Sequence, residues 1–190
     1  MDIAATVQAR AQVKGGLVIV DTFLNHRVEP ALMTEIGVQL AALCDIVPGD
    51  IIATVEASGI APAMATASAG GVDFIYAKKT VTQPADHFVS RPIASTTKAT
   101  TYHVGVRQSL LEGVQRAWIV DDFLSDGHAA HGLASILEEC GVTVAGSAFV
   151  IEKTFRSGRK RLEDAGYNVA SLVAIESIEN GLALKSREHA

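Results

Sequence analysis

With 48% hydrophobic and 19% charged side chains, this 190-residue chain is long enough to bury one substantial core and too apolar for disorder. Its net charge of −5 argues against nucleic acid or an anionic membrane as partner, because the single basic triplet, Arg159, Lys160 and Arg161, is soon answered by Glu163 and Asp164. Cys44 and Cys140 have neither metal-site nor dithiol spacing, and no stretch resembles a leader or a bilayer span, so the expectation is a cytoplasmic protein with reduced thiols.

In chain order, the pattern predicts a helix over residues 2–12, with Ile3, Val7 and Val13 loosely on one side, ended by Gly15-Gly16. A short β-like run at 17–20 leads into a connector of unusual polarity at 21–26. Pro30 suits the first turn of a helix over 31–44, whose Leu32, Ile36, Leu40 and Leu43 form one apolar face. After a Pro48-Gly49-Asp50 turn come a strand at 51–55 and an alanine-rich helix at 60–70 stopped by Gly70-Gly71. The strand at 72–77 then delivers Lys78 and Lys79 at its carboxyl end. Residues 80–101 are dense in Thr, Ser, Pro and Lys, and alternation returns only around 87–89 and 100–106. That predicts an antiparallel flap within a lid or binding loop.

The apolar run 117–120 is a strand ending in Asp121 and Asp122, followed by a Ser125-Asp126-Gly127 turn and a helix over 128–140 that Gly141 closes. A strand at 142–151 ends at Glu152-Lys153, Ser157 caps a helix over 158–165, and a last strand covers 167–175 before a polar, loose tail beyond Gly181. Strands separated by helices imply right-handed crossovers, so residues 1–190 read as a single α/β unit around a mostly parallel sheet, without repeat or linker.

In such a sheet, ligands sit where helix amides emerge beside the carboxyl ends of strands. Asp121 and Asp122 fit two tasks there, accepting hydrogen bonds from sugar hydroxyls or holding magnesium, although a solvated turn is the plain alternative. The amides of Ser125, Asp126, Gly127, His128 and Ala129 can cradle a phosphate. Asp126 is awkward beside a dianion and is expected to cap the helix or face away; His128 either adds a donor or is an exposed first-turn histidine. Glu56-Ala57-Ser58-Gly59 repeats the strand–turn–helix grammar, and with Lys78 and Lys79 it suggests a second anion site, unless the lysines are an ordinary strand end. Lys153 contributes to the site or pairs with Glu152; Trp118 and Phe149 read as strand core. Neither a P-loop nor a Rossmann fingerprint occurs.

The segment AWIVDDFLSDGHAAHG at 117–132 resembles the signature of the type I phosphoribosyltransferases, an apolar strand, two acids and a small-residue loop opening a helix. VDTFLNH at 20–26, VEASGIAPAMA at 55–65, YAKK at 76–79 and IEKTF at 151–155 extend the likeness over nearly the whole chain, toward the xanthine-using branch. The resemblance implies a mostly parallel central sheet flanked by helices, with a small hood and a flexible flap over residues 80–104, and a homodimer. It implies that 5-phosphoribosyl 1-pyrophosphate (PRPP), with Mg2+ held by substrate rather than protein, donates its phosphoribosyl group to xanthine. Asp121 and Asp122 would hold the ribose hydroxyls, and Ser125, Asp126, Gly127, His128 and Ala129 the 5-phosphate. Ala57, Ser58, Gly59 and Lys79 would take pyrophosphate, and Val18, Asn25 and Lys153 the base. The sequence departs from the pattern at Asp126, where xanthine enzymes commonly carry Asn, at Ala129, where the wider class often has threonine, and at Val18, where leucine is more usual. No acid stands at Leu124 or Ser125, so no general base is assigned. A guanine or hypoxanthine transferase, a non-catalytic PRPP-binding regulator and a generic sugar-phosphate binder stay open as alternatives.

Overall fold

The computed structural model describes residues 1–80, 87–94 and 101–185. Helix α1 (Ile3–Arg10) begins at Asp2, whose carboxylate accepts the Ala5 amide, and it buries Ile3 and Val7. It stops before the glycine pair: Gly15 and Gly16, both at positive φ, instead turn β1 (Gln12–Lys14) back on β2 (Leu17–Ile19). These two strands form a hairpin of their own, apart from the main sheet. The polar connector is a π-helical turn, Asp21–Asn25, which buries Phe23 and Leu24.

Pro30 opens α2 (Pro30–Leu43), where Leu32, Met33, Ile36 and Leu40 are buried, while Leu43, predicted on that face, is exposed. Strand β3 (Ile51–Val55) is buried at all five positions, as a central parallel strand covered on both faces must be. Helix α3 (Ile60–Gly70) ends with Gly71 in the left-handed conformation. Its small residues let it approach α2 so closely that a Cβ at Gly37 would overlap the Ala65 backbone.

Strand β4 (Asp73–Thr80) continues through both lysines, because β6 (Thr101–Arg107) pairs with it antiparallel; β5 (Phe88–Ala94) pairs with β6 in turn. The predicted flap strands therefore extend the main sheet, and the rest of the expected lid, residues 81–86 and 95–100, lies outside the described residues. Strand β7 (Arg116–Leu124) likewise runs past the predicted end, so both aspartates are strand residues. Helix α4 (His128–Glu139), β8 (Thr143–Lys153), α5 (Gly158–Asp164) and β9 (Val169–Ser177) follow, and β10 (Ala183–Leu184) pairs antiparallel with β9 where a loose tail is expected. Ser157 occupies the N-cap position of α5 without a side-chain cap bond.

The eight-stranded sheet has the order β10-β9-β8-β7-β3-β4-β6-β5, parallel from β9 through β4. Alternation along the strands divides the core. Ile52, Trp118 and Val120 pack with α1, α2 and α3, whereas Ile51, Ala53, Val55 and Ile119 pack with α4 and with Leu162 of α5. The cysteines cap α2 and α4; burial pushes the Cys44 thiol up to about 12, which keeps it an unreactive core group. Among the described residues, no helix is long and apolar enough to cross a membrane.

Candidate active site

The site begins with the parity of β7. Asp121 and Asp122 are adjacent in a strand, where alternation would send them to opposite faces, yet the two carboxylates lie against each other and both reach the loop after β3. Asp122, 5% exposed, accepts the Ser58 hydroxyl at 2.9 Å on one oxygen and the Asn25 amide at 3.2 Å on the other. The Phe123 amide adds a third bond at 3.0 Å. One carboxylate thus ties the π-helical turn, the loop after β3 and the end of β7 together. Among the described residues the buried Asn25 side-chain oxygen has no hydrogen-bond partner, and a bound N–H donor would satisfy it.

Asp121 lies beside Asp122. Its carboxylate accepts the Asp122 amide at 2.8 Å and lies so close to Gly59 that an added Cβ there would overlap it and the Thr54 hydroxyl. Burial and the Asp122 charge push the Asp121 carboxyl well above the usual range, against a pull down from Lys79. Lys79 stacks its ammonium 5.2 Å from the Tyr102 ring, and its amide donates to Glu56 at 2.6 Å. The Glu56–Ala57 peptide bond that opens the Ala57-Ser58-Gly59 loop is cis.

On the Asp122 face lies a cavity of about 460 Å³. Val18, Asn25, Ser58, Asp122, Ser125 and Lys153 line it, so the structure brings together residues from five separate segments of the sequence. Glu152 does not pair with Lys153. As its neighbour in β8 it leaves the opposite face, where Arg159 grips it through two bonds of 2.7 and 2.6 Å and Ser171 donates at 2.8 Å. Lys153 is therefore free to face the cavity, with its ammonium 5.1 Å from the Phe123 ring. Burial and the Arg156 charge push its pKa down, with Asp122 and Asp126 pulling the other way.

The structure adds Phe123, Phe155 and Arg156 to this lining, none of them singled out from sequence. Strict alternation would put Phe123 on the Asp121 side. Instead it packs against the cluster holding Trp118 and Val120 while Leu124 joins the other, so alternation breaks between Asp122 and Phe123. Phe155 is 44% exposed, unusual for a large apolar side chain beside a polar cleft, and its place in IEKTF was the available signal.

The loop entering α4 places Gly127 at φ 73°, so the helix starts without a side-chain cap and its first amides, at His128 and Ala129, lack intrahelical acceptors. The Asp126 carboxylate does not cap the helix: Arg156 holds it through bonds of 3.0 and 2.7 Å, which keep it below the usual carboxylate range. Burial and Arg161 push His128 down, against Asp126. Ala57, Gly59, Lys79, Asp121, Asp126, Gly127, His128 and Ala129 do not line the cavity, but sit on loops and strand ends flanking it.

No family model matches the chain. A xanthine phosphoribosyltransferase of Macrococcus caseolyticus is 41% identical over 170 residues, covering 89% of this chain and 88% of that protein. One from Streptococcus gordonii is 43% identical over 166 residues, with 85% and 84% covered. Among solved structures, adenine phosphoribosyltransferase from Thermoanaerobacter pseudethanolicus superposes with a TM-score of 0.70 at 24% identity, covering 90% of this chain and 99% of that one. The Saccharomyces cerevisiae enzyme gives 0.72 at 20% identity, covering 90% and 98%. These structural likenesses establish the type I phosphoribosyltransferase fold.

Proposed function

The chain belongs to the xanthine phosphoribosyltransferases, a family of pentosyltransferases, and from that premise we propose that it transfers the 5-phosphoribosyl group of PRPP to N9 of xanthine in purine salvage. The products are xanthosine 5'-monophosphate and pyrophosphate. The observation that carries this reading is the shared Asp122 carboxylate: Asn25 of the base side and Ser58 of the pyrophosphate loop both donate to it. An activated sugar bound there has its leaving group and its acceptor on either side.

In this arrangement the amides at the start of α4 receive the 5-phosphate, and Ala57, Ser58, Gly59 and Lys79 receive the pyrophosphate. Asp122 and Asp121 accept hydrogen bonds from the ribose hydroxyls. Phe123 and Phe155 offer apolar faces to a planar base, Lys153 donates to an oxo group, and the unpaired Asn25 oxygen accepts a base N–H. Bond formation from N9 to the anomeric carbon accompanies loss of the bond to pyrophosphate oxygen, whose growing negative charge Lys79 and the loop amides stabilise. Xanthine loses a proton readily near neutral pH, and Lys153 beside an oxo group favours that anion and disfavours the amino group of adenine. The two carboxylates are too few for an all-protein cage, so they fit a Mg2+ ion that arrives with the substrate's oxygens and supplies further charge neutralisation on pyrophosphate. The hood expected over residues 80–104, part of which lies outside the described residues, would exclude water from the reacting centre, and the working protein is a single-unit, cytoplasmic homodimer.

Pyrophosphate release from PRPP with xanthine, guanine, hypoxanthine, adenine and orotate tests the reading. Xanthine is expected to give the highest kcat/KM. A higher value with guanine or hypoxanthine would reassign the base, and PRPP binding without release would leave a sugar-phosphate binder.

A further inference from the structure

The loop meant for the 5-phosphate carries an acid, and the structure shows what contains it. Asp126 stands one residue before the Gly127 N-cap of α4, close enough that a carboxylate turned inward would reach the first helix amides. Those amides are the ones a phosphate needs, so a capping Asp126 would compete for them and repel the dianion as well. It does neither. Arg156 Nε and Nη2 hold its two oxygens at 3.0 and 2.7 Å, Arg161 Nε donates to its carbonyl at 2.7 Å, and the Gly158 amide donates to the Ser125 carbonyl at 2.9 Å. The planar fork of a guanidinium fixes the carboxylate's direction as well as its charge.

Resting on the reading above, we propose that Arg156 is a positioning residue for phosphate binding: it draws Asp126 away from the α4 amides and cancels its charge. With side chains 45% and 17% exposed, the pair is a partly exposed one that contributes little to stability, so its loss leaves the fold intact. Its consequence falls on the ligand.

The test measures ribose 5-phosphate affinity by calorimetry without base, and KM and kcat for PRPP, in wild type, R156Q, R156K and D126A/R156Q, with thermal melts on each. R156Q is expected to weaken ribose 5-phosphate about ten-fold and to raise the PRPP KM similarly, with kcat changed less than about two-fold. R156K retains charge without the fork and should fall between. Adding D126A to R156Q removes the competing carboxylate and should recover most of the loss, because the two substitutions act through one contact. Failure of D126A to recover affinity would mean that Arg156 itself touches phosphate, and would overturn the proposal. So would R156Q or R156K binding ribose 5-phosphate as wild type does in a protein that still releases pyrophosphate. A wild type that neither binds ribose 5-phosphate nor releases pyrophosphate would instead overturn the reaction, and this inference with it.

Discussion

Lys153→Met separates recognition of the base from recognition of the sugar. The ammonium lies 5.1 Å from the Phe123 ring in a half-buried wall of the cavity, and no hydrogen bond or ion pair to it is seen among the described residues. A hydrogen bond from a charged donor to an oxo group in such a place is worth about 1.5–3 kcal/mol. Its loss should lower kcat/KM for xanthine by about 10- to 150-fold. Asp121, Asp122 and the two anion loops are untouched, so KM for PRPP should stay within about two-fold. Burial of this charge opposes folding: the folded-state pKa is lowered, so the cost is present below it and relieved as pH rises through it. The variant should therefore melt no lower than wild type, and its xanthine profile should lack the alkaline decline expected of wild type as Lys153 loses its proton. Initial rates with each substrate varied in turn, across pH, decide the matter. Equal shifts in both substrate constants, or a marked loss of stability, would refute the division of the site.

Asp122→Asn keeps the shape of the hub that Ser58 and Asn25 share but removes its charge, and is expected to cut kcat/KM for PRPP about 100-fold while far-UV circular dichroism stays unchanged. Gly59→Ala drives a methyl into the Thr54 hydroxyl and the Asp121 carboxylate; an overpacking cost of about 1–3 kcal/mol should appear as a lowered Tm together with weaker PRPP use. Arg159→Met strands the buried Glu152, at a cost of about 2 kcal/mol once the usual buried-pair penalty is discounted for the 38% exposure of Arg159. Burial pushes the Glu152 carboxyl up, but the Arg159 and Ser171 bonds outweigh it and hold it low, so this stabilisation is present above the unfolded pKa and lost as pH falls through the folded one. Melts of wild type across acid pH should show that loss, and Arg159→Met should flatten it.

Much of this protein could be read from local pattern. The run 51–55, the helix at 60–70 with Gly71 behind it, and the DDFLSDG turn are recognisable because composition, periodicity and turn chemistry agree within a few residues. What failed was whatever depends on a partner outside the segment itself. Gly15-Gly16 ends no helix because β1 finds β2, the lysine-bearing end of β4 stays extended because β6 supplies its hydrogen bonds, and Ala183–Leu184 pair because β9 offers an edge. Glu152 could have paired with Lys153 on sequence proximity, yet strand alternation separates them and Arg159 takes the acid. Phe123 entered the cleft only through an interruption of that alternation, and the grip of Arg156 on Asp126 joins loops 30 residues apart. Local chemistry named the groups able to bind an activated sugar; burial and long-range hydrogen bonding decided which of them face one another.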